Sequence, residues 1–302
     1  MKVTDIRELV GKTPLVQFKT QVAPNARFWV KLEGCNPSGS VKDRACVYNL
    51  RDAAESGRLR PGMTILDASS GNMACALAYF GRIFGHPVAV VCSTKLTEDK
   101  AAFIRYFGAT LVRHGDFTIE GNRLCREMAE QEPDRYCFLD QLHNWANPRA
   151  SYETMGPEIL ADLPEVTAVV GSMGSGGTMT GTSRCIKERH PSTLTIAVEA
   201  AAGTKLPGTA GLDDGDYQTP FLTKAFEDRL FDVRFKTSLE PAKEFTRLAA
   251  DQGIFAGWQT GGVLHAAVTI AQERGLTGDI VAISGDAGWK NMEKLSPSGR
   301  TP

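Results

Sequence analysis

No stretch of the 302-residue chain approaches the roughly 18 consecutive apolar residues of a membrane span, so an integral membrane protein is not indicated. Its seven cysteines (Cys35, Cys46, Cys75, Cys92, Cys125, Cys137 and Cys185) form no CxxC pair and no regular interval. That spacing argues against a zinc ribbon or a disulfide framework and fits reduced thiols. One-sided charge is missing too, with 34 basic residues against 35 acidic and a net charge of −1. Nothing there recommends a nucleic acid or an anionic membrane as partner. The five histidines, His86, His114, His143, His190 and His265, show no ligand spacing, so no metal is expected. Residues 1–15 lack an apolar core followed by a small-residue cleavage site, which predicts a cytoplasmic protein.

The chain carries 42% hydrophobic and 23% charged residues, an ordinary globular composition. Its length exceeds one average domain, which suggests two lobes around a cleft. Strand-like runs at 64–67, 88–92, 109–113, 168–172, 194–199 and 279–284 each lie near a helical stretch. Helices are expected over 43–56, 74–84, 100–107, 119–131, 150–163, 178–190, 241–252 and 262–275. This alternation predicts an α/β fold with mostly parallel sheets flanked by helices. Residues 203–219, rich in glycine and acidic residues, and the tail 296–302 read as mobile surface segments.

Three motifs carry chemistry. In Asn36-Pro37-Ser38-Gly39-Ser40-Val41-Lys42-Asp43-Arg44 a turn runs into a helix, with a lysine near the helix start. Desolvation and the positive end of the helix dipole there favour a neutral amine able to form an imine. The same pattern also suits a plain solvated lysine. Gly174-Ser175-Gly176-Gly177-Thr178 lies between a strand and a helix, where backbone amides can approach a phosphate. It fits neither the Walker A loop nor the dinucleotide fingerprint, and a structural glycine turn is the alternative. Ser69-Ser70-Gly71-Asn72, again between strand and helix, offers donors for a carboxylate or merely a helix cap.

Together these segments resemble the fold type II, tryptophan synthase β-like, pyridoxal-phosphate (PLP) enzymes. Among them the chain is most similar to the cysteine synthase, or O-acetylserine sulfhydrylase, family. The resemblance runs through Ile6 to Leu15, Lys31-Leu32-Glu33-Gly34-Cys35-Asn36-Pro37, the Lys42 segment, Asp140-Gln141, Asn144 to Arg149, Tyr152 to Ile159, the glycine loop and Gly253 to Gly257. Lys31-Leu32-Glu33-Gly34 and Ser172-Met173-Gly174 look more like the B-type isozyme. The resemblance implies that Lys42 is the Schiff-base lysine and acid–base group and that Asn72 bonds the PLP 3′-oxygen. It further implies that Ser69, Ser70 and Gln141 hold the substrate carboxylate. Gly174, Ser175, Gly176, Gly177 and Thr178 would cradle the phosphate. The implied assembly is a homodimer whose larger lobe comprises residues 1–38 and 146–302 and whose smaller, mobile lobe comprises 39–145.

Several positions depart from the family pattern. Alignment on Gly257-Trp258-Gln259-Thr260-Gly261 puts Gln259 where a serine or threonine normally meets the pyridine nitrogen, with Thr260 as the alternative partner. Met73-Ala74 replaces the usual Thr-Gly, which removes a hydroxyl from the substrate-binding set at Met73. Residues 206–211 keep the family's Pro-Gly but lack the arginine of relatives that prefer O-phosphoserine, so an acetyl-type leaving group is expected. The closing segment Asp286-Ala287-Gly288-Trp289-Lys290-Asn291 also diverges. The expected activity is that of a transferase. It replaces the β-substituent of an O-activated serine, O-acetyl-L-serine first, with sulfide or a related nucleophile. A β-eliminating lyase or dehydratase, a synthase of other β-substituted alanines, and a non-catalytic PLP-binding paralogue are the alternatives.

Overall fold

Burial in the computed structural model, which describes residues 2–295, follows the apolar runs of the sequence. The strand Val88–Cys92 is buried at every position, as expected of a strand covered by helices on both faces. Strands β1 (Leu15–Phe18), β2 (Ala26–Leu32), β7 (Val166–Ser172), β8 (Leu194–Ala200), β9 (Val233–Thr237) and β10 (Gly278–Ser284) form one sheet. Its order is β1-β2-β10-β7-β8-β9. Only the β1–β2 pair is antiparallel. Strands β3 (Thr64–Ala68), β4 (Val88–Cys92), β5 (Thr110–Arg113) and β6 (Tyr136–Phe138) form a second, wholly parallel sheet in the order β5-β4-β3-β6.

Eight of the helices connect these strands and cover the sheets: α1 (Lys42–Glu55), α2 (Asn72–Ile83), α3 (Glu98–Tyr106), α4 (Thr118–Gln131), α5 (Ala146–Glu153), α6 (Met155–Asp162), α7 (Gly177–Arg189) and α8 (Pro220–Glu227). Two more, α9 (Leu239–Ala250) and α10 (Trp258–Arg274), pack on the larger sheet. One core lies among α1, α2, α3 and the smaller sheet, around Leu50, Leu77, Phe80 and Val90. Another joins α9 and α10 to the larger sheet through Val170, Val198, Val263 and Ile280. Met155, Val169, Met179 and Ile283 fill that sheet's other face. Among the described residues no helix is long and apolar enough to cross a membrane.

The helix expected over 150–163 is two helices, α5 and α6, broken at Thr154 (φ −123°, ψ −67°). Pro157 explains the break, because its ring is tolerated only in a helix's first turn, where the restart at Met155 puts it. Residues 203–219 are not a free surface loop either. Leu206, Ala210 and Thr219 are buried, and Ala210 N–H donates to the Met173 carbonyl at 2.6 Å. Thr219 then caps α8 with Pro220 at its first position, a helix start that the glycine-rich lead-in conceals. The tail 296–302 lies outside the described residues.

Candidate active site

In parallel sheets a ligand is held beyond the carboxyl ends of the strands, and there the sequence-predicted residues meet. Lys42 opens α1, Asn72 opens α2 after β3, and Gly177 opens α7 after β7. Lys42, Asn72, Gly174, Gly176, Thr178 and Gln259 line one cleft, together with Asp286 after β10.

The Lys42 ammonium donates only to Ser175 Oγ, at 3.3 Å, and has no carboxylate partner among the described residues. Burial without a counter-charge pushes its pKa down to about 8. A sizeable fraction of this amine is therefore neutral near physiological pH. The two lysines that are buried more completely among the described residues are committed elsewhere. Lys31 pairs with Glu158 at 2.9 Å, and Lys290 donates to the Ser38 carbonyl at 2.6 Å.

The glycine loop is shaped by close approach. Gly176 sits at φ +86°, and a Cβ there would lie 2.2 Å from the Leu222 side chain. A Cβ on Gly177 would lie 2.2 Å from Asn147 Oδ1. Asn147 also donates to the Gln141 carbonyl at 2.8 Å, and Thr219 Oγ1 donates to the Ser175 carbonyl at 2.9 Å. These bonds fix the loop whose amides open α7 toward the cleft. Asn147 and Thr219 escaped the sequence reading because each acts on a segment distant in sequence.

Ser69, Ser70 and Gln141 gather at the end of β3, largely engaged with one another's surroundings. Ser69 Oγ accepts from Gly71 N–H at 3.2 Å, and Ser70 Oγ donates to Ser93 Oγ at 3.0 Å. Gln141 Nε2 donates to the Ala68 carbonyl at 2.7 Å. Asp67 beneath them is pushed up to about 8 by burial, while its carboxyl accepts from Ala68 and Gln141 N–H. The Met73 side chain is fully buried in the core of the smaller sheet and is not part of the cleft wall. Only its backbone is left to meet a substrate.

Gln259 lies on the cleft wall, but both ends of its amide are taken. Its Oε1 accepts from Gly285 N–H at 2.9 Å, and its Nε2 donates to Ser172 Oγ. A backbone N–H can only donate, so the amide's orientation is fixed. Ser172, absent from the sequence-derived set, thereby becomes a held hydroxyl on the same wall. Thr260 is buried off the cleft and shares a 2.9 Å hydrogen bond with Ser284.

Two residues along α1 from Lys42, Arg44 is buried between two carboxylates. It reaches Glu33 at 2.7 and 2.8 Å and Glu158 at 2.7 Å. Thr13 Oγ1 donates to Glu33 at 2.6 Å, and Asn36 Nδ2 donates to it at 2.8 Å. Four of the segments that carry the family resemblance, those of Thr13, Glu33, Arg44 and Glu158, thus converge on one ion cluster that anchors the start of α1.

A family model described as "Pyridoxal-phosphate dependent enzyme" matches residues 6–286. The chain belongs to this family of pyridoxal-phosphate dependent enzymes. It is 33% identical over 271 residues to cysteine synthase B of Salmonella typhimurium, covering 88% of each chain. It is 29% identical over 303 residues to the O-acetylserine dependent cystathionine beta-synthase of Bacillus subtilis, covering 97% of each. Among solved structures, O-ureido-L-serine synthase superposes with a TM-score of 0.91 at 26% identity, covering 100% of this chain and 98% of the other.

The cleft of this pyridoxal-phosphate dependent enzyme suits the family's cofactor. A weakly basic lysine could form the imine, a glycine-rich loop at a helix N-terminus could hold the phosphate, and Asn72 Oδ1, buried without a partner among the described residues, could offer a polar wall. Gly176→Ala is expected to weaken PLP retention about tenfold, because the added Cβ strains the positive φ and collides with Leu222. Dialysis followed by cofactor absorbance measures this, and unchanged occupancy would remove the loop from the site.

Proposed function

We propose that this enzyme replaces the β-substituent of an O-activated L-serine, O-acetyl-L-serine first, with sulfide or a related nucleophile. The products are L-cysteine or another β-substituted alanine. The observation that carries this reading is the convergence of Lys42, Asn72 and the 174–178 loop on one cleft. The similarity to an O-acetylserine dependent cystathionine beta-synthase supports this donor, and that to cysteine synthase B supports the product.

In this reading bound PLP supplies the electron sink that lets the α-proton and the β-substituent leave. Lys42 anchors the cofactor and moves the proton at Cα, its amine being neutral enough for both tasks. Gly174, Ser175, Gly176, Gly177 and Thr178 hold the phosphate, and Asn72 faces the ring. Ser69, Ser70 and Gln141, at the end of β3, receive the substrate carboxylate, with the Met73 backbone beside them. Gln259 meets the pyridine side of the cofactor through the unit it forms with Ser172. Both are neutral groups, which favours β-chemistry over reactions needing a protonated ring nitrogen. Pro207 and Gly208 line the cleft without an arginine beside them in sequence, which fits an uncharged acyl leaving group. Residues 39–145, which contain the four-stranded sheet, form the mobile lobe, and residues 1–38 and 146–302 form the larger one. The enzyme acts as a cytoplasmic homodimer.

A second reading, a β-eliminating lyase, draws on the burial of the Met73 side chain, which leaves the end of β3 one hydroxyl short. One screen separates the two. Purified holoenzyme is given O-acetylserine, O-phosphoserine, serine and cysteine, each with and without sulfide, and amino-acid products and pyruvate are quantified. Sulfide-dependent cysteine from O-acetylserine is expected. Pyruvate formation at the same rate with and without sulfide would replace the synthase by the lyase.

A further inference from the structure

A buried carboxylate stands opposite Asn72. Asp286, at the end of β10, is 8% exposed, and its Oδ2 accepts a 2.8 Å hydrogen bond from Asn72 Nδ2. A carboxylate only accepts, so this bond dictates which end of the Asn72 amide faces β10. The second Nδ2 hydrogen remains for another acceptor. Asn72 Oδ1 and Asp286 Oδ1 are both buried without a partner among the described residues. The backbone ties the same acid to the Lys42 loop. Asp286 forms a β-bridge with Ser40, and Val41 N–H donates to the Gly285 carbonyl at 2.9 Å. Lys42 lines the same cleft and Lys290 lies on the following turn, and neither forms an ion pair with it among the described residues. Among the described residues its one side-chain hydrogen bond comes from Asn72.

We propose that Asp286 is a positioning residue for the cofactor, acting through Asn72 by fixing the amide so that its second N–H is held for PLP. This rests on the reading that Asn72 faces the cofactor. Without the carboxylate, the Asn72 amide is free to turn its oxygen toward the cofactor and forfeit that donor. Asp286→Asn, nearly the same shape, removes the obligate acceptor.

The test measures the PLP dissociation constant and the visible absorption maximum of the loaded protein for the parent, Asp286→Asn, Asn72→Ala and the double variant. The melting temperature of each apo form is recorded alongside. Asp286→Asn is expected to weaken PLP about tenfold, the size of one charge-assisted hydrogen bond, and to move the absorption maximum while leaving apo melting unchanged. In the Asn72→Ala background the same substitution is expected to add nothing, because the two residues act as one unit. Unchanged affinity and spectrum in Asp286→Asn, or an equal weakening in both backgrounds, would overturn the proposal. The underlying reading fails separately: parent affinity and spectrum in Asn72→Ala would show that Asn72 does not face PLP. Should Asp286→Asn not fold, Asp286→Glu carries the test. It keeps an acceptor but displaces it by one methylene, so weaker PLP binding with a shifted absorption maximum is expected, and parent values for both count against the proposal.

Discussion

Lys42→Ala is expected to abolish covalent capture of PLP and to lower turnover by roughly a thousandfold or more, because anchor and proton carrier are lost together. The basis is the contrast between Lys42 and the two buried lysines. Lys31 is held by Glu158 and the Thr13 carbonyl, and Lys290 by the Ser38 carbonyl, whereas among the described residues Lys42 Nζ bonds only the Ser175 hydroxyl. Borohydride reduction of the loaded parent followed by peptide mapping should place the adduct on the peptide containing Lys42. An adduct on Lys31 or Lys290 would reject the assignment. The neutral amine is the reactive form, so the rate of PLP capture by the apo protein should climb with pH and level off above about 8. An ordinary exposed lysine would still be climbing near pH 10.

Arg44→Met is expected to cost about 3–5 kcal/mol of stability, the largest loss from any single substitution considered, because it strands buried carboxylates. Glu33 is fully buried and depends on this guanidinium. Burial alone would raise the Glu158 carboxyl, yet the bonds from Arg44 and its neighbours hold it near 2. A carboxyl depressed in the folded state adds stability above its unfolded value of 4.5, and that contribution is lost as pH falls from there toward 2. The parent should therefore lose stability across that window more steeply than Arg44→Met does. Urea unfolding at several pH values measures both effects. A variant as stable as the parent at neutral pH would show that the cluster is replaceable by apolar packing. Since the cluster underlies the start of α1, PLP affinity should fall with it.

The site was most legible where local chemistry and local structure coincide. Lys42, Asn72 and Gly177 each begin a helix, and a turn, a strand and then a helix are visible in the sequence as a change of periodicity. The inner strands β3, β4, β7, β8 and β10 were equally plain, since burial on both faces demands unbroken apolar runs such as Val88–Cys92. The edge strands β1, β6 and β9 and the inner strand β2 were not, although the edge strand β5 was. The outer strand β9 alternates Arg234 and Lys236 with half-buried neighbours, and β6 is only three residues long. Asp286, Ser172 and Asn147 were missed or passed over because each works across the fold, on a partner that no spacing rule connects to it. Met73 shows the converse case. Its place in the motif suggested the substrate, but at the start of α2 its side chain turns into the core.

The position of β10 between β2 and β7 also sets an order of assembly. Arg27 and Asp279, bonded across β2 and β10, lie 252 positions apart in the chain. The four-stranded sheet has all its strands once residue 138 has emerged, whereas the six-stranded sheet lacks its central strand until residue 284 has. Closing so long a loop costs entropy before any contact repays it. Between the emergence of residue 172 and that of residue 284, a nascent chain therefore carries one finished half and one open sheet with two exposed inner edges, β2 and β7. Those are the edges at which an incomplete chain is most prone to pair with a neighbour.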